Sequence, residues 1–176
     1  MTPRDAAKVI LVVFSFLVVQ QTVMLDIRIG GVHPDIMVLL PMAAGLVGGP
    51  GRGATMGFGS GLVADCLLPT PFGLSAFVGT LIGYAVGLAT VAVDRSSWWL
   101  PTLAAVVSSL VYVVVYALLG SILGQPQMIH VALANTAILV AVFNAVLAVP
   151  AVRLVAWALP KVSTEGMPTS TSGLLR

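Results

Sequence analysis

Apolar residues run along this chain in long blocks, and the polar residues fall mostly in the short breaks between them. A helix that crosses the hydrocarbon core of a bilayer needs about 20 predominantly apolar residues. The first block runs from Val9 to about Leu25 and ends in a polar loop holding Asp26, Arg28, Gly30, Gly31 and His33. A second span is expected from Pro34 to about Gly49. Pro34 suits the first helical position, where a missing N–H costs nothing, and Pro41 should kink the middle of that helix. Gly49-Pro50-Gly51-Arg52-Gly53 reads as a turn, and a third span follows from about Gly53 to Leu68. After Pro69-Thr70-Pro71 a fourth span runs from about Phe72 to Val93. Asp94 to Ser97 form the next polar loop, and Trp98 and Trp99 look like interfacial anchors. The fifth span runs from about Pro101 to Leu123, Gly124-Gln125-Pro126 turn the chain, and the sixth runs from about Met128 to Leu159. The pattern predicts an all-α membrane protein, with residues 1–160 as one polytopic bundle of about six helices. Residues 161–176 are polar and Ser/Thr-rich and read as a disordered tail.

The second and third spans have about 16 residues each, or about 24 Å of helix, against a core of about 30 Å. They either thin the bilayer or lie buried among longer helices, and their glycine content favours burial. Gly45, Gly49, Gly53, Gly57 and Gly61 recur every four residues, with Asp65 next in the step. Gly79, Gly83 and Gly87 repeat the spacing after the proline turn. Four residues advance about 400° around an α-helix, so such glycines form a slowly drifting stripe. A stripe of this kind lets a second helix backbone come close. The second, third and fourth spans are therefore expected to form a tightly packed hub with one acid at its edge.

Composition removes the soluble alternatives. The chain is 59% hydrophobic and 8% charged, with a mean hydropathy of +1.08. A soluble domain carries about 25% charged residues. The basic residues are scattered, which argues against nucleic acid as a partner and suits topology instead. With six spans, Arg4, Lys8, Arg52, Arg95, Arg153, Lys161 and Arg176 fall on one side and only Arg28 on the other. By the positive-inside rule both termini are cytoplasmic. Arg4 and Lys8 precede the first apolar run as in a signal peptide, but Gln20, Gln21 and Thr22 follow without a cleavage pattern, so the span is expected to be retained. The single Cys66 leaves no internal disulfide.

Two acids stand out. Asp35 sits at a helix start, where the macrodipole favours a carboxylate, and Asp65 near a helix end, where the dipole opposes it. Both are expected near the outer face. An intramembrane acid is a functional-site hypothesis by default. If Asp65 is buried, Arg28 is the natural ion-pair partner, being the one basic side chain on that side. His33, Asp35, Asp65 and His130 share the outer side, but their spacings match no metal motif. Asn135, Asn144, Ser108 and Ser109 suit hydrogen bonds between helices. Tyr112 and Tyr116, one turn apart, suit packing. No residue set resembles a nucleophile–base pair, and Gly-Gly-Pro-Gly-Arg-Gly lacks the Lys-Ser/Thr of a phosphate loop. No enzymatic activity, metal or cofactor is expected.

His33-Pro34-Asp35 opens the second span, Gly57-Phe58-x-x-Gly61-Leu62-x-x-Asp65 fills the third, Phe72-Gly73-Leu74 follows the proline turn, and Gly83-Tyr84 lies in the fourth. This block, about residues 30 to 90, resembles the rod shape-determining protein MreD family. The resemblance implies a non-enzymatic component of the bacterial inner membrane that serves the elongation complex building lateral cell wall. It implies binding to MreC, a single-span protein, and through it a connection with MreB and the RodA–transpeptidase synthase. It points to Asp35, Gly57, Phe58, Gly61, Asp65, Gly73, Gly83 and Tyr84 as residues of helix packing or partner contact. The family also looks similar in fold to the S components of energy-coupling-factor transporters, so the alternative is a substrate-binding membrane subunit of a vitamin-type transporter. Against it, that class couples through a small-residue stripe on its first span. Val9 to Leu25 contains no Ala or Gly.

Overall fold

In the computed structural model, residues 3–24, 35–67, 71–92, 99–125 and 133–160 are described. Among them are six α-helices and no strand: α1 (Pro3–Val19), α2 (Leu39–Gly48), α3 (Pro50–Asp65), α4 (Leu74–Ala92), α5 (Leu100–Ile122) and α6 (Leu133–Ala158). A π-helical turn, Gln20–Met24, continues α1. The segment Pro3–Thr22, α5 and α6 are long and apolar enough to cross a membrane, with mean hydropathies of 1.5, 2.3 and 2.3. The chain is a helical membrane protein. The expected disordered tail, Arg28, His33 and His130 lie outside the described residues.

The shortest helix is the centre. α2 is apolar on all sides, and every residue from Leu39 to Leu46 is buried. It packs against α3, α4, α5 and α6, while α1 lies outside them against α6. Leu39, Leu40, Met42, Ala43 and Ala44 form one core with Val12, Phe16 and Leu17 of α1 and Ala148, Ala151 and Val155 of α6. A helix without a polar stripe has no face to offer solvent, so it ends up enclosed.

Two expectations about α2 change. Its regular helix starts at Leu39, not at Pro34, after a turn closed by Leu39 N–H to the Ile36 carbonyl at 3.1 Å. Pro41 therefore falls in the first turn, where no helical N–H bond is lost, and not in mid-helix. The turn between α2 and α3 is also tighter than expected. Gly49 alone makes it, at φ +81°, a conformation that favours glycine. Pro50 then takes the first position of α3.

Arg52 Nη1 donates to the Pro160 carbonyl at 2.6 Å, and the Lys8 ammonium lies 5.2 Å over the Trp157 ring. These contacts bring the starts of α1 and α3 to the end of α6. Arg4, Lys8, Arg52 and Arg153, the basic residues among those described, thus gather at one end of the bundle, here called the basic end.

Candidate functional site

The glycines of α3 meet α4 as an antiparallel ladder. A methyl group placed on Gly53 would strike the Gly83 carbonyl, one on Gly57 the Gly79 carbonyl, and one on Gly61 would lie 2.5 Å from the Ala76 Cα. Gly87 abuts the backbone of Pro50, and a methyl on Gly45 of α2 would lie 2.6 Å from the Gly83 oxygen. Three helices therefore touch backbone to backbone. Contact at this range suits Cα–H···O interactions and gains dispersion along the whole seam. Gly59 faces the other way, and a methyl there would meet nothing within 4 Å.

Asp65 ends α3, is 4% exposed, and reaches to the start of α4. Its Oδ2 accepts from the Gly73 N–H at 2.9 Å and the Ala76 N–H at 3.2 Å, and its Oδ1 from the Ser75 N–H at 3.1 Å. The first turn of a helix leaves N–H groups without intrahelical partners, and a side chain at the N-cap usually takes them. Here the residue before α4 is Gly73, at φ +92°, which has no side chain. Asp65 supplies the cap from the neighbouring helix. The positive end of the α4 dipole thereby offsets the negative end of α3. Of the expected ion pair with Arg28, only the acid lies among the described residues. The partners seen at Asp65 are three backbone N–H groups.

Asp35 is tied into the bundle through its backbone. Its carbonyl accepts from Asn144 Nδ2 at 2.8 Å, and the same nitrogen donates to Ser109 Oγ at 2.8 Å. Ser109 and Asn144 lie near the middle of α5 and α6. The Asp35 side chain turns back to its own chain, with Oδ1 accepting from the Met37 N–H at 2.9 Å. The adjacent Ile36 N–H donates to Gln20 Oε1 at 2.9 Å, which ties α1 to the same level. Asn144 Oδ1 is the buried side-chain polar atom without a partner among the described residues.

Asp35, Gln20, Gln21, Ser75 and Tyr112 border a cavity of about 80 Å³ beside this network. Ser75 Oγ lies 3.5 Å from the hydroxyl of Tyr116, whose ring stacks on Tyr112 with centroids 5.6 Å apart. No group of His, Cys, Asp and Glu able to hold a metal occurs among the described residues. The arrangement can fix helices against one another. It brings no nucleophile to a general base.

A family model for the rod shape-determining protein MreD matches residues 5–157. The chain belongs to the MreD family. The match runs from the first turn of α1 to the last turn of α6, so it includes every element of the site. A membrane protein that determines rod shape is what the family describes. No curated protein and no solved structure matches the chain.

Within this MreD-family bundle the sequence-derived residues separate into two groups. Gly57, Gly61, Gly83 and Asp65 lie in the seam joining α2, α3 and α4, Gly73 sits at the cap, and Asp35 joins the network behind it. Phe58 and Tyr84, 55% and 49% exposed, point away from it on α3 and α4. From the sequence, Gln20 figured only as part of a polar stretch late in the first span that lacks a cleavage pattern. The signal that could have found it is a glutamine where an apolar helix ends, beside a chain segment needing an acceptor.

Proposed function

We propose that this chain is a non-enzymatic assembly subunit of the elongation complex in a bacterial inner membrane, with both termini cytoplasmic. It binds an MreC-like single-span protein and through it positions or activates lateral wall synthesis, with MreB and the RodA–transpeptidase synthase as indirect partners. The observation that carries this reading is the use of Asp65. Both of its oxygens hold α3 to α4, so the acid serves the shape of the hub. A rigid hub leaves its outward aromatics, Phe58, Phe77 and Tyr84, as a fixed surface for a partner helix. Aromatic side chains are enriched at the centres of protein interfaces.

The alternative, a substrate-binding transporter subunit, draws support from the polar cavity beside Asp35. At about 80 Å³ that cavity is small against the roughly 300–1,000 Å³ of ligand pockets. Affinity purification from the native membrane in mild detergent separates the readings. Recovery of a single-span coiled-coil protein, lost in the Phe58→Ala/Tyr84→Ala variant, supports the assembly subunit. Recovery of an ATPase pair with a coupling subunit refutes it.

A further inference from the structure

One face of the bundle is open, between α1 and α3. α1 packs on α6 and stands off from α3, and the gap between them is an apolar groove of about 560 Å³. Val13 and Phe14 line it from α1, and Met56, Gly59 and Val63 from α3. Gly59 keeps its floor low, since nothing lies within 4 Å of the place a methyl would take. Protein interiors are close-packed, so a dry apolar gap of this size forfeits dispersion along both walls unless something fills it.

What fills it is constrained by its end. Arg52 and Pro160 close the groove at the basic end of the bundle. A guanidinium carries five N–H donors in a planar fork that matches a phosphate. The Pro160 carbonyl engages Nη1 and holds the group in place without neutralising it. Lys8 stands on α1 one residue before the groove lining begins at Val9, and Arg4 one turn earlier, against the single acid Asp5 in that turn. An apolar slot under a fixed cation is complementary to an amphiphile with an acyl tail and an anionic head.

We propose that the α1–α3 groove is a binding site for an anionic phospholipid, with one acyl chain along Val13, Phe14, Gly59 and Val63 and the phosphate on Arg52. The occupant has a structural consequence: lipid adds to the sparse direct contact between α1 and α3. The site lies on the face away from the glycine seam, so it can be altered without opening the hub.

Native mass spectrometry of the full chain, with any protein it retains, tests the site in micelles carrying equal amounts of phosphatidylglycerol and phosphatidylcholine. Phosphatidylglycerol should be retained in preference. A juxtamembrane cation contributes enough that Arg52→Gln should lower that preference about fivefold, while Arg52→Lys keeps most of it. Gly59→Leu should reduce retention of both lipids by filling the floor, with a Tm no lower than that of the unaltered chain. Equal retention of the two lipids by the unaltered chain overturns the proposal, as does a preference that survives Arg52→Gln. A photo-crosslinking residue at Phe14 should capture lipid in native membranes. Capture of a protein helix there would assign the groove to a partner and overturn the lipid site.

Discussion

Gly57 and Gly59 stand two positions apart on α3 and face opposite ways, which makes them a matched pair for testing the seam. Adding a methyl at either removes the same backbone freedom and raises helix propensity by about 1 kcal/mol. At Gly59 nothing opposes that gain, because the space is open. At Gly57 the methyl meets the Gly79 carbonyl and the Thr80 nitrogen, both backbone atoms of a packed helix. Neither can swing aside as a side-chain end would. The neighbouring rung gives the scale: at Gly61 the added carbon would lie 2.5 Å from the Ala76 Cα, against ordinary contact from 3.4 Å. The helices must therefore part by most of an ångström. Overpacking of this kind costs about 1–3 kcal/mol, and with backbone on both sides the upper value applies. The net for Gly57→Ala is then about 2 kcal/mol of destabilisation after the propensity gain is subtracted. For a chain of this length 1 kcal/mol moves Tm by about 2–4 °C. Gly57→Ala should lower Tm by about 4–8 °C and Gly59→Ala should raise it by about 2–4 °C. Thermal unfolding in one detergent, followed by size-exclusion of the heated samples, reads both. Shifts of the same sign would refute the claim that direct contact between the α3 and α4 backbones holds the hub.

Four further outcomes follow from the same geometry. Asp65→Ala strips the cap from α4 and leaves three N–H groups without their acceptor, costing about 3 kcal/mol; Asp65→Asn keeps one acceptor oxygen and should cost about half as much in the same melting assay. Asn144→Leu removes two hydrogen bonds from α6, one to α5 and one to the turn before α2, each worth about 0.6 kcal/mol in lipid, and should lower Tm by a few degrees without loss of expression. Gly57→Leu or Gly61→Leu in the host should convert rods to round cells, scored by microscopy; rods of normal width carrying a stably expressed variant would count against the hub. Phe58→Ala and Tyr84→Ala should leave Tm within about 1–2 °C while reducing recovery of the single-span partner, since surface substitutions seldom exceed about 0.5 kcal/mol.

The helices were legible because each is an apolar run ended by glycine, proline or charge, and the observed ends fall within a few residues of those breaks for α4 and α5. The seam was legible for a different reason. A four-residue glycine period constrains geometry whatever the partner helix is. The start of α2 was misplaced because that depends on how much of the second apolar block is helical. α2 is buried on all sides, so its hydrophobic pattern carries no phase from which a start could be read. The surroundings of Asp65 were hidden for a related reason. A search among side chains finds Arg28, whereas the N–H groups at the start of α4 have no letter in the sequence. The one trace is Gly73, a residue without a capping side chain where a helix begins.

The ladder between α3 and α4 has an ambiguity that glycine cannot resolve. Because the glycines repeat every four residues on both helices, sliding one past the other by a single turn sets Gly57 on Gly83, Gly61 on Gly79 and Gly53 on Gly87. That alignment is as smooth as the observed one, and the seam alone would tolerate both. The slide is about 6 Å, far beyond the reach of a hydrogen bond. It would carry Asp65 off the first turn of α4 and strand a carboxylate and three N–H groups together. The acid therefore acts as a detent: the glycines make the helices close, and Asp65 decides which of two close alignments is the protein.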